Sequence, residues 1–153
     1  MILEYYSMPH AKHKPVRANP SDAGLDLKYN PDVGSQPVSI EPGQSMILGT
    51  GLKFGVPHGY MIQIMNRSGN AAKKKLMVGA CVVDSGYNGE VFVNLHNIGS
   101  KPQTINPGDK IAQAVVIPVV PVRFLETSND NLYDWSPITI SNRGSGALGS
   151  TGE

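Results

Sequence analysis

At 153 residues the chain fits one domain of ordinary size, long enough to bury about two-thirds of the surface that its unfolded form exposes. Thirteen Lys and Arg stand against twelve Asp and Glu, a net charge of +1, which gives no general reason to expect nucleic acid, a membrane surface or a strongly acidic partner. The single cysteine, Cys81, excludes an internal disulfide framework, and no Cys or His pairs fall at zinc spacing.

The amino-terminal "MILEYYSMPH" has no apolar run of the roughly 7–15 residues that a signal peptide needs, and nowhere do about 18 apolar residues follow one another as in a membrane span. The chain reads as soluble and intracellular, in a reducing compartment. Seventeen glycines and twelve prolines cut it into short pieces, so an all-β pattern is expected, with one helical turn near Asn70 to Leu76. In chain order the predicted strands are "SMILGTGLKF" (45–54), "GYMIQIM" (59–65), "LMVGACVV" (76–83), "EVFVNLHN" (90–97), "QTI" (103–105) and "KIAQAVVIPVVPV" (110–122). Such punctuation suits a sandwich, jelly roll or barrel. Alternation is imperfect in "GYMIQIM", which predicts a strand covered on both faces, by a second sheet or by another subunit. The body is complete by Leu125, giving residues 1–125; residues 126–153 read as a polar arm with Tyr133, Trp135 and Ile138 as isolated apolar anchors, ending in a glycine-rich tail.

Five short stretches combine glycine with polar groups, and four of them are expected at strand ends or turns: "DAGLDL" (22–27), "NRSGNA" (66–71), "VVDSGYNGE" (82–90) and "PGDKIAQ" (107–113). The fifth is the tail, "RGSGALGSTG" (143–152). Singly, each suits a turn, since Asp, Ser, Asn and Gly are common there. In "NRSG" a guanidinium, a hydroxyl and a glycine amide fall close together, and the tail offers Arg143, Ser150, Thr151 and open amides; both are donor sets that a phosphate would accept. The tail does not fit the phosphate-binding loop pattern, and no helix is expected after it. Asp84 follows an apolar strand, so two readings stand. Either it is a partly desolvated carboxylate that accepts a proton from water, or it is the Asp that opens the tight turn "DSGYNG".

In their order, "AGLDL", "NRSGNA", "ACVVDSGYNGE", "GDKIAQ" and "RGSGALGSTG" resemble the five motifs of the trimeric dUTP diphosphatase (dUTPase) family, covering the chain from about Asp22 to Gly152. The resemblance implies a β jelly roll that assembles as a homotrimer, each active site drawing on three chains. It implies that Arg67, Ser68, Gly69 and Gln113 hold the phosphates on one subunit. The hairpin from Val78 through Val82, Val83, Asp84 and Tyr87 to Phe92 would receive the deoxyuridine on a second. Arg143, Leu148, Gly149, Ser150 and Thr151 of a third would close as a lid, loose without ligand.

The implied reaction is Mg²⁺-assisted attack of water on the α-phosphorus of dUTP, yielding dUMP and pyrophosphate. That activity keeps uracil out of DNA and supplies dUMP for thymidylate synthesis. Asp84 would orient and deprotonate the water and hold the 3′-hydroxyl, Tyr87 would exclude a 2′-hydroxyl, and Asp26 would lie near the metal's water shell or support the trimer interior. The sequence departs from the family pattern at Leu148, where an aromatic residue usually stacks on uracil, and at Cys81, usually glycine. Asn66, Asn88 and Lys110 are milder departures. Lys73, Lys74 and Lys75 read as solvated surface, and His10, His13, His58 and His96 have no evident partners. A related dCTP deaminase would carry a glutamate where Asn94 stands, and a non-catalytic binding or structural jelly roll would have no need of Asp84 and Tyr87.

Overall fold

The computed structural model describes residues 1–128 and 132–137. It divides into two units, Met1–Pro121 and Val122–Glu153. The first holds every strand among the described residues: β1 (Glu4–Ser7), β2 (Gly24–Lys28), β3 (Val38–Ile40), β4 (Ser45–Gly49), β5 (Leu52–Gly55), β6 (Tyr60–Met65), β7 (Leu76–Val78), β8 (Val82–Val83), β9 (Phe92–Asn97), β10 (Gln103–Ile105) and β11 (Lys110–Pro118). The only helical element among the described residues is a π-helical turn, Asn70–Lys74, where the sequence calls for a turn. In the second unit, residues 122–128 and 132–137 form turns and bends without strand or helix. No helix among the described residues is long and apolar enough to cross a membrane.

The architecture is the all-β jelly roll expected from the sequence. Every strand pairing is antiparallel, in a four-stranded sheet β2-β11-β6-β8, a three-stranded sheet β4-β9-β7, and the two-stranded pairs β1-β5 and β10-β3. One apolar cluster joins all four: Leu27, Ile62 and Ile111 from the large sheet meet Leu48, Leu76 and Leu95 from the three-stranded sheet, with Leu52, Ile40 and Ile105 from the pairs. Removal of this surface from water drives the assembly, at about 25 cal/mol per Å².

Several boundaries differ from those expected. The run 45–54 is two strands, because Gly51 takes φ 65 between them, a left-handed turn that glycine adopts without strain. The run 76–83 is also two strands that belong to different sheets. The final strand stops at Pro118, and β1, β2 and β3 are additional. The "DAGLDL" and "PGDKIAQ" stretches are not confined to strand ends: Asp26 and Gln113 stand within β2 and β11, directly opposite each other.

In β6, Ile62 and Ile64 are buried while Met61, Gln63 and Met65 face the other way and are half-buried or exposed. Register places Met61, Gln63 and Met65 beside Ile117, Val115 and Gln113 of β11. That outer face is therefore largely apolar, which explains the weak alternation.

Candidate active site

Asp26 is the electrostatic centre of the first cavity. Arg67 Nε donates to its Oδ1 at 2.8 Å, and Lys110 Nζ lies 2.8 Å from its Oδ2. Burial pushes the Asp26 carboxyl up most strongly as a single influence, but the hydrogen bonds and charges of Lys110 and Arg67 together outweigh it and hold the pKa below the ordinary 3.8. Lys110 reaches this position because β11 bulges between Lys110 and Ala112. An extra residue resets strand alternation, so that Lys110 reaches the Asp26 carboxylate although Gln113, three residues on, is the one paired opposite Asp26. Asn70 secures the bulge by donating from Nδ2 to the Lys110 carbonyl at 2.9 Å.

Arg67 spends Nε on Asp26, and its terminal nitrogens have no hydrogen-bond partner among the described residues. Arg67 borders a cavity of about 530 Å³ lined also by Asp22, Gly24, Asp26, Ser68, Gly69 and Gln113, among others. Ser68 and Gly69 are exposed there. Gln113 is fixed by donating from Nε2 to the Asn66 carbonyl at 2.9 Å, while Asn66 Oδ1 accepts the Val78 N–H at 2.7 Å. A neutral amide, a hydroxyl and a guanidinium half-committed to one carboxylate make a donor-rich cradle suited to phosphate oxygens.

A second cavity, of about 370 Å³, lies inside the segment 78–92. It is lined by Cys81, Val82, Val83, Asp84, Tyr87, Glu90 and Phe92 together with Ile64, Ala80 and Val91. The segment is a hairpin only at its base. There β7 pairs with β9, and the Gly79 N–H donates to the Asn94 carbonyl. Beyond Gly79 the arms part: β8 crosses to β6, pairing Val83 with Ile62 and Val82 with Gln63, while β9 stays with β4. Space is tight at the fork: a Cβ on Gly79 would stand 2.5 Å from His96 Nε2, so a larger residue there would have to displace the imidazole. The cavity is the space between the parted arms.

Asp84 and Tyr87 stand at its turn. The Tyr87 N–H donates to the Asp84 carbonyl at 3.2 Å, and Gly86 takes φ 83, as the third position of a type II turn requires. Asp84 thus does open the turn, and its side chain is exposed. Of the two readings of Asp84, the single chain shows the turn-opening one: the strand leading to it buries Val83 but ends before Asp84. Val83 is buried, Val78 half-buried, and Val82 and Phe92 are exposed. The donor cradle and the forked hairpin share no lining residue.

A family model for dUTPase matches residues 10–152. The chain belongs to the dUTPase family. It is 40% identical over 147 residues to the deoxyuridine 5′-triphosphate nucleotidohydrolase of Gloeobacter violaceus, covering 95% of this chain and 92% of that one. To the enzyme of the same name from Chlamydia muridarum it is 38% identical over 141 residues, 91% and 90% of the two chains. The fold is similar to that of a dUTPase of Staphylococcus bacteriophage 80alpha solved with dUpNHpp, with a TM-score of 0.82 and 21% identity over 99% of each chain. It is also similar to a dUTPase of phage phi11 of S. aureus, described with a structural Mg(II) ion, at a TM-score of 0.74 and 22% identity over 85% of this chain and 99% of that one.

Within this dUTPase framework the expected site residues fall into two groups. Asp26, Arg67, Ser68, Gly69 and Gln113 are together in the cradle, and Val82, Val83, Asp84, Tyr87 and Phe92 are together at the fork. Val78 stands at the base of the fork in β7, and Arg143, Leu148, Gly149, Ser150, Thr151 and the anchor Ile138 lie outside the described residues. Sequence reasoning passed over Lys110, Asn66 and Asn70 as working parts. Asn66 and Asn70 could have been found by adjacency, since they flank Arg67 and Gly69, and Lys110 by sharing the stretch "GDKIAQ" with Gln113. Cys81 lines the fork and its carbonyl accepts the Ile64 N–H at 2.7 Å, so its backbone is part of the sheet. Asn94 Oδ1 is buried without a hydrogen-bond partner among the described residues. His10, expected to have no partner, lies 3.3 Å from Asp32 through Nδ1.

The cradle's carboxylates bear on a metal. Both oxygens of Asp26 are taken by Arg67 and Lys110, and Asp22 Oδ2 accepts the Asn19 N–H at 2.9 Å. This donor set fits a Mg²⁺ carried by phosphate oxygens and water rather than by the protein, which is how the ion usually accompanies nucleotides.

Proposed function

We propose that the chain hydrolyses dUTP to dUMP and pyrophosphate inside the cell, as a homotrimer whose active sites form between subunits. The observation that carries this reading is the pairing of two half-sites on one chain: a donor cradle for phosphates at Arg67, Ser68 and Gln113, and a forked hairpin with Asp84 and Tyr87 at its turn, with separate linings. A triphosphate needs both. The apolar outer face of the large sheet, with Met61, Met65, Val115 and Ile117, supports burial against further copies of the chain.

In this reading the cradle holds the phosphate chain, and the fork takes the uracil and deoxyribose through its backbone edges, with Tyr87 against the sugar. Asp84 orients a water and accepts its proton as the water oxygen bonds to the α-phosphorus; the bond from that phosphorus to the bridging oxygen breaks, and pyrophosphate leaves. Exposure of Asp84 in the single chain suits a base that meets its water and substrate only when another subunit closes the site. Mg²⁺, when bound, neutralises the phosphate oxygens. Arg143, Leu148, Gly149, Ser150 and Thr151 cover the nucleotide from a third chain, Leu148 pressing on the base without an aromatic ring. Asp26 supports the cradle by holding Arg67 in place.

Pyrophosphate release with Mg²⁺ and dUTP, dTTP, dCTP or UTP tests the reaction: dUTP alone is turned over efficiently. Mixing two inactive variants, Arg67→Ala and Asp84→Asn, after joint refolding tests the shared site. Hybrid assemblies regain activity if the two residues of a working site come from different chains, and stay inactive if they come from one.

A further inference from the structure

The run Lys73, Lys74, Lys75 has no task in the reaction described above, and the fold separates its members. Lys73 and Lys74 close the π-helical turn, and Lys75 ends it in the left-handed region at φ 57, its N–H donating to the Asn70 carbonyl. Both ends of the turn are fastened. At the start, Asn70 is buried and holds the Lys110 carbonyl of β11, and the Ala71 N–H donates to the Arg67 carbonyl at 2.9 Å. At the end, the Lys75 carbonyl accepts the Ile98 N–H at 2.9 Å. Lys73 and Lys74 therefore stand on a fixed support, yet they are exposed, and their side chains make no hydrogen bond or ion pair among the described residues.

A third cavity, of about 460 Å³, opens where these two side chains stand. It is lined by Arg67, Gly69, Lys73, Lys74, Asp109 and Lys110, among others, and Lys75 takes no part. Arg67 and Gly69 also line the donor cradle, so the two hollows adjoin. Four cations and one carboxylate face the third cavity. Asp26 offsets one charge of the pair Arg67 and Lys110. Asp109 offsets another, while its Oδ2 accepts the Asn106 N–H at 2.9 Å. The positive excess that remains is equal to the charges of Lys73 and Lys74, in a chain whose net charge is only +1. Charge that is balanced over the whole molecule is thus unbalanced beside the cradle.

We propose that Lys73 and Lys74 make this cavity an anion-collecting entrance, which draws in a polyphosphate chain and passes it to the cradle. This rests on the reading above in which the cradle holds the phosphates of dUTP. A hollow lined by one sign of charge focuses its field and raises association rates by about 10–10³-fold, an effect that salt removes. The two lysines act on capture and not on the chemical step. A merely solvated pair would leave capture independent of its charge.

The test compares three double variants of the full chain: Lys73→Glu with Lys74→Glu, the milder Lys73→Gln with Lys74→Gln, and a control, Lys12→Glu with Lys101→Glu. Lys12 and Lys101 are exposed and line neither hollow. At about 20 mM salt, kcat/KM for dUTP falls by about tenfold or more in the Glu pair, about threefold in the Gln pair and less than about twofold in the control, with kcat unchanged. At about 0.5 M salt, where charges are screened within a few Å, all three converge on the parent. A second measurement is independent of turnover: calorimetric binding of inorganic tripolyphosphate at low salt weakens in the same order.

Equal kcat/KM in the Glu pair and the parent at low salt overturns the proposal. So does a loss that persists at high salt, is matched by the control or is carried by kcat. Should the Glu pair fail to fold, the Gln pair decides on both measurements. A parent protein inert towards dUTP would sink the dUTP reading by itself, while tripolyphosphate binding would still decide whether the two lysines collect anions.

Discussion

Asp26 and Arg67 meet through a single guanidinium nitrogen, Nε, at 2.8 Å, which fixes the arginine while leaving its terminal nitrogens for another anion. Asp26→Asn removes the charge that binds both Arg67 and Lys110. The loss of charge-assisted hydrogen bonds is expected to cost about 1–3 kcal/mol of stability, below the figure for a fully buried pair because the cations are partly solvated. Turnover should fall as well, since Arg67 is no longer aimed. Thermal unfolding and dUTP hydrolysis measured on the same variant check both effects; unchanged stability and turnover would show that the pair is idle.

The same carboxylate makes stability depend on pH. Its pKa in the folded protein lies below 3.8 because Lys110 and Arg67 overcome the opposing effect of burial. The unfolded chain therefore binds the proton first as pH falls, so the contribution is full above 3.8 and disappears as pH drops through the folded value. Denaturant midpoints taken from about pH 5 down to about pH 2 should decline more steeply for the parent than for Asp26→Asn. Parallel curves would remove Asp26 from the account.

Asp84 makes no side-chain hydrogen bond or ion pair among the described residues, and it is exposed. Asp84→Asn should accordingly leave the unfolding temperature nearly unchanged while lowering kcat by roughly 10²–10⁴, the range for loss of a general base. Near-normal kcat would exclude Asp84 as the base.

Gly24→Ala probes the cradle from the opposite strand. The added methyl would overlap Gln113 Oε1, forcing the amide away from the Asn66 carbonyl that now accepts from it. Overpacking of this kind costs about 1–3 kcal/mol. KM for dUTP is expected to rise by roughly tenfold as the amide loses its place. Steady-state kinetics with a crystal structure of the variant would show whether Gln113 moves and whether the rise follows.

Removal of residues 143–153 should abolish efficient hydrolysis while the unit Met1–Pro121, which contains every strand and the apolar cluster, keeps its cooperative unfolding. Full activity in the shortened chain would discard the lid.

The β class was legible because glycine and proline interrupt the chain so often, and the long runs at 59–65 and 92–97 contain enough buried β-branched and aliphatic side chains to declare themselves. Strands β1, β2 and β3 were not, since "EYYS", "GLDLK" and "VSI" are short and place few residues in the core. The residues of the cradle and the fork were named from the motif resemblance. Their electrostatics were not readable, because the Asp26–Lys110 pair depends on a bulge that no local pattern announces. The same limit concealed the contact between Glu90 and Gly51, which are 39 residues apart.

The parting of the arms beyond Gly79 has a consequence for recognition. On the edge of β9 away from β4, the β7 ladder and the Gly79 N–H take Asn94 to Asn97, so Phe92 and Val93 at its start and the edge of β8 away from β6 are left without ladder bonds among the described residues. Two open strand edges offer alternating donors and acceptors at fixed spacing. A flat ring with its own donor and acceptor edge can occupy the place of missing rungs, so that under the proposed function a base would be read as if it were a piece of backbone.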